Sequence, residues 1–376
     1  MSDALIDVRD LAKHFTVRRR GAADGATDGM ADDGAVAGHP ARRWRPAALR
    51  PRRAATVRAV DGVTFAVRPG EIVGYLGPNG AGKSTTLKML TGLLVPTSGT
   101  LTVAGRVPWR ERRRHVATIG AVFGQRTALW WDLPVVESFD LLRHIYRVPP
   151  ARFRANLDAF RDLLDLDAFL ETPVRSLSLG QRMRADFAAA MLHDPTVLFL
   201  DEPTIGLDVV AKERVRRFIR HLNAERRTTV LLTTHDLADV ERLCERVLII
   251  DGGRLLYDGQ LPELQARFGG RRELVVDLAE EIDVEVARPE RAGDGNDRLA
   301  IPGADIVARD GPRITYAFDR DALSAADLIA RVTSRLRVVD LALKEPDIET
   351  TVRRIYEERL LEAPTSTPTD ATTRPM

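Results

Sequence analysis

Residues Gly77–Thr85 read GPNGAGKST, which fits the pattern G-x-x-x-x-G-K-[ST]. They follow an apolar strand-forming run, EIVGYL, and precede TTLKMLTGLL, a helix-forming run. The order strand, loop, helix is what the pattern needs to work, and it commits this region to an α/β layer. The chemistry accounts for each residue type. Glycines let the backbone curl so that successive N–H groups point at phosphate oxygens. The N-terminus of the following helix adds a partial positive charge. Lys83 is placed to reach the β- and γ-phosphates of a nucleotide, and the Ser84 hydroxyl is a hard-oxygen ligand suited to Mg²⁺.

A second carboxylate-bearing stretch suits the same ligand. VLFLDEP, Val197–Pro203, is an apolar strand ending in two acids, and a carboxylate at a buried strand is costly unless paired or linked to a metal. At a strand's carboxyl end beside a phosphate loop, Asp201 is suited to hold Mg²⁺ through water and Glu202 to polarise an attacking water. A turn follows, Thr204-Ile205-Gly206-Leu207-Asp208. TTVLLTTH then puts His235 at the end of another apolar strand, where a β-α-β unit brings it to the same pocket.

The surrounding pattern is a doubly wound α/β layout with a helical insertion. Residues 5–17 and 57–76 read as β-rich, 134–195 as mostly helical, and 196–260 as strands alternating with helices. From about 271 the pattern changes. ELVVDL, ITYAFD and VVDLALKE are strand-like and SAADLIARVTSRL is an amphipathic helix, so 271–345 reads as a small α+β appendage. A helix over 346–361 and a Pro/Thr-rich tail over 362–376, expected to be disordered, end the sequence.

Between the first two strands lies an insert, 18–56. Its first half is rich in Gly, Ala and Asp and is expected to be flexible; its second half, ARRWRPAALRPRR, is basic and carries Trp44. Two readings stand: a solvated loop, or a basic aromatic segment that touches anionic lipid headgroups or a partner subunit.

Composition sets outer bounds. The 376 residues, 44% hydrophobic and 29% charged, supply ample core. A net charge of +2 gives no bulk field for nucleic acid. Cys244 is the only cysteine, so no disulfide forms within the chain, which fits a reducing compartment. No window of about 18 apolar residues is present, and MSDALIDVRD has no secretory pattern. Only five of the 56 basic side chains are lysine: Lys13, Lys83, Lys88, Lys212 and Lys344. Genomic base composition accounts for the bias, but a lysine kept in such a chain is less casual.

Taken together, these residues resemble the ATP-binding subunit of ABC transporters. The likeness spans about 5–265 and rests on six ordered elements. They are a Walker A loop at Gly77–Ser84, a glutamine loop centred on Gln125 in AVFGQRT, and a signature at Leu177–Gln181. A Walker B strand at Val197–Asp201 carries the catalytic Glu202, followed by a D-loop at Ile205–Asp208 and a switch histidine at His235. The resemblance implies a P-loop NTPase of ABC type: a mixed sheet core with antiparallel β and helical subdomains, here occupying 1–268, with the helical subdomain at about 126–190. It implies ATP and Mg²⁺ as ligands. Gly77, Pro78, Asn79, Gly80, Ala81, Gly82, Lys83, Ser84 and Thr85 would hold the nucleotide, and Phe15 would stack on adenine. Ser84, Gln125 and Asp201 would serve the metal, and Glu202, His235 and Gln125 would serve hydrolysis.

The resemblance further implies a head-to-tail dimer of this chain with itself or a paralogous ATPase subunit. Ser178, Leu179, Gly180 and Gln181 of one subunit would contact ATP held by the other, beside the D-loop residues Gly206, Leu207 and Asp208. Separate permease chains would hold the protein at the inner face of the cell membrane, with no nucleic acid involved. The Leu129–Pro134 run, LWWDLP, falls where the permease docks in relatives; core packing of both indoles in the helical subdomain is an equal alternative. The likeness is to a bacterial export-type subgroup. A soluble ABC ATPase acting on ribosomes or DNA usually carries two cassettes or a coiled-coil arm, and neither is seen here. A P-loop kinase or GTPase leaves Gln125, the signature and His235 unexplained.

The signature departs from the family pattern, because Leu-Ser-Leu-Gly-Gln stands where Leu-Ser-Gly-Gly-Gln is expected. A leucine at positive φ would be strained, so position 179 is expected to have ordinary backbone geometry. Ser178 suits a helix N-cap and Gly180 a close backbone approach.

Overall fold

Parallel strands covered on both faces read as unbroken apolar runs, and the apolar runs of this chain form such a sheet. The computed structural model describes residues 4–18, 54–124, 126–268, 271–279, 299–319, 322–344 and 348–357. The expected flexible insert, Gln125, the end of the last helix and the tail lie outside the described residues, apart from the strand residues that flank the insert.

Strands β1 (Ile6–Arg18) and β2 (Ala54–Val67) pair antiparallel, with Ile6 opposite Val67 and Arg18 opposite Ala54. The strand ends flanking the insert are therefore neighbours. Next come β3 (Ile72–Leu76), α1 (Lys83–Leu90), β4 (Ser98–Val103), α2 (Arg112–Val116) and β5 (Ile119–Phe123). β4 pairs with β1, giving a three-stranded antiparallel sheet in the order β2-β1-β4.

A helical layer follows, with α3 (Val135–Tyr146), α4 (Pro150–Leu164) and α5 (Leu179–Met191). Left-handed residues Arg147 and Asp165 end α3 and α4. The chain then returns to the sheet through β6 (Val197–Asp201), α6 (Val209–Arg226), β7 (Thr229–Thr233), α7 (Leu237–Leu243), β8 (Arg246–Asp251), β9 (Arg254–Gln260) and α8 (Leu261–Phe268). The main sheet has the order β5-β6-β7-β3-β8-β9, parallel throughout except for β9.

Period-2 alternation sends successive side chains of each strand into two cores. Val197, Phe199 and Leu231 face the core under the antiparallel sheet, with Tyr75 and Leu87. Leu198, Leu200, Val230 and Leu232 face the core under the helical layer, with Phe139, Phe160, Phe187 and Phe218. Phe160 meets Phe218 edge-on at 5.3 Å between centroids, which ties α4 to α6. The register aligns Phe123, Asp201, Thr233 and Tyr75 as one row across β5, β6, β7 and β3. The carboxyl ends of these strands therefore form a common rim, the place where open α/β sheets bind ligands.

The remaining strands are β10 (Arg272–Leu278), β11 (Ala304–Asp310), β12 (Arg313–Phe318) and β13 (Val338–Lys344), with α9 (Ala325–Arg335) between the last two. They form an antiparallel sheet, β11-β12-β10-β13, with its own core of Leu274, Tyr316, Phe318, Leu328 and Val332. The last described helix, α10 (Ile348–Glu357), does not join that core. Ile348, Val352 and Ile355 lie on one face and are buried with Leu261, Leu264 and Phe268 of α8.

Candidate functional site

The loop after β3 is shaped by two glycines that no other residue could replace. Gly82 has φ 107°, and a Cβ there would strike the Ala59 carbonyl of β2. A Cβ on Gly77 would strike the Ile250 carbonyl of β8. The loop is thus wedged between the antiparallel sheet and the main sheet, and it opens directly into α1. Lys83 is buried, and its Nζ donates to the Gly77 carbonyl at 2.5 Å and the Pro78 carbonyl at 3.1 Å. Burial lowers the pKa of its ammonium, and the Glu202 and Asp201 carboxylates oppose that shift.

The rim of the sheet completes this cleft. Asp201 Oδ1 accepts from Ser84 Oγ at 3.2 Å and from Thr233 Oγ1 at 2.6 Å. Glu202 follows at φ 56°, an uncommon conformation for a side-chain-bearing residue. Its N–H donates to the Thr233 carbonyl at 2.9 Å, and its Oε2 is in contact with His235 Nδ1. The Gly124 N–H donates to the Asp201 carbonyl at 2.8 Å, and a Cβ on Gly124 would run into the Glu202 carbonyl. The cleft, about 650 Å³, is lined by Asn79, Ser84, Gly124, Asp201, Glu202 and His235. The arrangement presents a cation, a paired hydroxyl and carboxylate of hard-oxygen type, and a carboxylate against an imidazole. That set suits a polyphosphate with a divalent cation and an in-line water.

The structure brings the Gly77–Thr85 loop, Asp201, Glu202 and His235 together. It does not bring the signature to them. Ser178, Gly180, Gly206 and Asp208 line a separate groove of about 380 Å³ that shares no lining residue with the first cleft. The expected D-loop runs between the two, with Ile205 on the cleft and Gly206 on the groove. Phe15 lies on β1 opposite Val57, half-exposed, with Lys13 Nζ 5.3 Å from its ring centroid. Its partner strand β2 reaches the loop at Val60, which abuts Gly82, but Phe15 is not among the cleft-lining residues. Gln125 lies outside the described residues.

Local chemistry explains the groove. Ser178 caps α5 in a capping box: its Oγ accepts from the Gln181 N–H at 3.2 Å, and its own N–H donates to Gln181 Oε1 at 2.9 Å. The helix opens at Leu179, so this leucine has ordinary helical φ, as expected for a tolerated substitution. Its Cδ2 lies 2.9 Å from where a Cβ on Gly206 would sit, so it packs onto the D-loop. Gly180 is different: a Cβ there would meet only Ala211 Cβ at 3.6 Å and Leu207 Cδ2 at 4.0 Å. The fold leaves room for a side chain at 180 and does not itself demand glycine.

Several polar residues near these surfaces were missed in the sequence. Thr233 orients Asp201. Asp239 is fully buried, accepting from Thr204 Oγ1 and from Arg216 Nε at 2.7 Å, so it ties the start of the D-loop to α6 and α7. Lys212 pairs with Asp236, next to His235, at 2.5 Å. The sequence singled out this lysine by its rarity but not its partner. Asp186 is a buried acid in the apolar run ADFAAAM, a signal that could have found it. Trp130 and Trp131 are at the surface, 39% and 50% exposed, so core packing does not account for them.

Comparison with known proteins agrees with this geometry. A family model described as ABC transporter matches residues 60–205. The daunorubicin resistance ATP-binding protein DrrA3 of Streptomyces coeruleorubidus is 33% identical over 294 residues, covering 78% of this chain and 89% of that protein. The Nod factor export ATP-binding protein I of Ralstonia nicotianae is 39% identical over 205 residues, covering 54% of this chain but only 63% of that protein. Among solved structures, a dimeric ATP-binding cassette in a post-hydrolysis state with ADP and Pi superposes with a TM-score of 0.53 at 23% identity, covering 68% of this chain and 98% of that one.

Proposed function

Since the chain belongs to the ATP-binding subunits of ABC transporters and is an ATPase, we propose that two such subunits, facing head to tail, hydrolyse ATP to drive export through separate permease chains. The observation that carries this reading is the separation of the two half-sites. The loop, Asp201, Glu202 and His235 line one surface, while Ser178 and Gly180 line another. Within one copy the two surfaces share no lining residue, whereas two copies related head to tail would set each cleft against the other's groove.

In this reading Lys83 exchanges the Gly77 and Pro78 carbonyls for the β- and γ-phosphates. The phosphate charge compensates the burial that lowers its pKa. The free N–H groups at the start of α1 bind phosphate oxygens. Ser84 and Asp201 would hold Mg²⁺, the latter through water, with Gln125 as a further ligand. The hydroxyl and carboxylate oxygens already meet at 3.2 Å, a donor set that fits a hard cation. Such an ion offsets phosphate charge. Glu202 takes the proton of the attacking water, and His235 holds Glu202 and the γ-phosphate in place. The partner's Ser178 hydroxyl and α5 N-terminus meet the γ-phosphate from the far side, and the bare Gly180 backbone permits that approach. Phe15 would flank the adenine.

No helix among the described residues is long and apolar enough to cross a membrane, so the permease is taken to be a separate chain. It would dock at the exposed Trp130 and Trp131, which places the subunit at the inner membrane face. Export is supported by what the similar proteins are called, a drug-resistance subunit and a Nod factor export subunit.

The test is complementation between two inactive chains. Lys83→Ala disables the loop but leaves the signature, and Gly180→Asp does the reverse. Neither alone should hydrolyse ATP, whereas the mixture should recover turnover at the single intact composite site. A mixture as inactive as its parts would sink the head-to-tail reading.

A further inference from the structure

We propose that Asp186 is a positioning residue that locks the signature helix to the chain leaving the glutamine loop, so that the two half-sites of one subunit move together. The proposal rests on the ATPase reading above. Asp186 lies on α5, seven residues after Leu179, which is about 10 Å along the helix. It is buried among the apolar residues Met183, Ala185, Phe187 and Ala188. A carboxylate there is costly, and an apolar side chain would serve the packing better. What the carboxylate adds is a grip on one segment. Its Oδ1 accepts from Thr127 Oγ1 at 2.8 Å and from the Ala128 N–H at 3.0 Å. Thr127 Oγ1 accepts in turn from the Leu129 N–H at 3.1 Å, and the Trp130 N–H donates to the buried Ser138 Oγ of α3 at 3.2 Å. Residues 127–130 are thus held by the helical layer.

Just upstream the chain is held by the sheet instead. The Gly124 N–H is fixed on the Asp201 carbonyl at 2.8 Å, and the backbone there touches Glu202 too closely for any Cβ. Gly124 is thus tied to the catalytic rim and Thr127, three positions on, to α5. A shift of Gly124 on nucleotide binding is passed to α5 through Thr127 and Asp186, and it reaches Ser178 and Gly180 at the helix start. Occupancy of one cleft thereby tunes how the same subunit presents its signature to its partner's ATP.

The experiment uses the full-length chain. Asp186→Asn keeps an oxygen in the place of Oδ1 and should retain wild-type turnover and ATP cooperativity within about twofold. Asp186→Ala should bind a fluorescent ATP analogue as the wild type does, yet lose about tenfold in kcat, with a Hill coefficient near 1, a loss in the range of typical coupling energies. Thr127→Val, which removes one of the two donors, should fall between them. It decides the matter if Asp186→Ala fails to fold. Wild-type kcat and Hill coefficient in a folded Asp186→Ala or in Thr127→Val would overturn the clasp. So would an Asp186→Asn chain that is folded but as defective as Asp186→Ala. Glu202→Gln, run in parallel, guards the underlying reading: if it keeps turnover, the ATPase assignment fails rather than the clasp.

Discussion

Ser84 Oγ and Asp201 Oδ1 lie 3.2 Å apart across the cleft, on elements 117 positions apart in sequence, with Thr233 Oγ1 holding the same carboxylate oxygen at 2.6 Å. One carboxylate oxygen is thus aimed by two hydroxyls, a preorganisation that suits a hard-cation site. Asp201→Asn should reduce Mg²⁺-dependent turnover by about 100-fold, while Thr233→Val, which removes only the orienting bond, should cost about tenfold in kcat/KM, or ~1.4 kcal/mol. Steady-state kinetics over a Mg²⁺ titration check both. A Thr233→Val chain with unchanged Mg²⁺ dependence would remove Thr233 from the site.

Glu202 combines a carboxylate against His235 with a backbone at φ 56°. Glu202→Gln should abolish hydrolysis, by about 100-fold or more, and leave an ATP-bound dimer that light scattering detects. More than half the wild-type turnover would show that Glu202 is not the general base. Glu202→Gly should be equally inactive but more stable by about 1 kcal/mol, because glycine accepts the left-handed backbone without strain. Thermal unfolding of the nucleotide-free chains separates the two effects.

The groove makes a prediction of opposite signs. Gly180 sits in the first turn of α5 with room for a Cβ, so Gly180→Ala should raise stability by about 0.4–1 kcal/mol. On the head-to-tail proposal it should nevertheless slow hydrolysis, because the methyl enters the groove lined by Ser178 and Ala211 that would receive the partner's phosphate. Leu179→Gly restores the family pattern but removes a side chain packed onto Gly206. It should keep turnover and lose about 1 kcal/mol. Urea unfolding alongside ATPase rates tests the pair, and a fall in stability for Gly180→Ala would show that the fold does demand glycine there.

The division between what the sequence revealed and what it hid follows range. The phosphate loop, the acid pair and His235 are legible because residue types at fixed local spacing encode their chemistry. Thr233, Asp239 and Asp186 act on partners 32, 35 and 59 positions away, and no local pattern states such a pairing. The φ of Glu202 was invisible too, since side-chain identity gives no hint of it. Strand β11 escaped notice for another reason. It is an edge strand, exposed over nearly its whole length, so ADIVARD carries no apolar period to read. Helix α10 was legible as a helix, but the core it joins was not.

That helix supplies a stability prediction. Val352 and Ile355 are buried against α8, and the Ile348 N–H donates to Glu241 Oε1 of α7 at 3.1 Å. Val352→Asp would bury an unpaired carboxylate in this contact and should cost about 3 kcal/mol or more. Denaturant unfolding measures it, and a loss under about 0.5 kcal/mol would mean that α10 does not hold to α7 and α8 in solution.

Asp186 gives a pH signature opposite in sign to that of a surface carboxylate paired with arginine, such as Asp165. Burial pushes its pKa up to about 6 from 3.8, with the Thr127 and Ala128 donors and the Arg182 charge opposing. Below pH 3.8 both folded and unfolded chains carry the proton, and the group's relative stabilising contribution is at its full value. Between 3.8 and about 6 the folded chain keeps the proton that the unfolded chain has lost, so stability falls as pH rises through that window. The shift of about two pKa steps corresponds to about 3 kcal/mol. Other carboxylates, such as Asp165 beside Arg214 and Arg184, have lowered pKa values and lose their stabilisation on acidification, which masks the effect in the wild type alone. Subtracting the Asp186→Asn curve removes them. The wild-type-minus-Asn difference in unfolding free energy should be flat below pH 3.8, decline by about 3 kcal/mol on the way to pH 7, and then level off. A difference that does not change with pH would show that Asp186 titrates as it does in the unfolded chain.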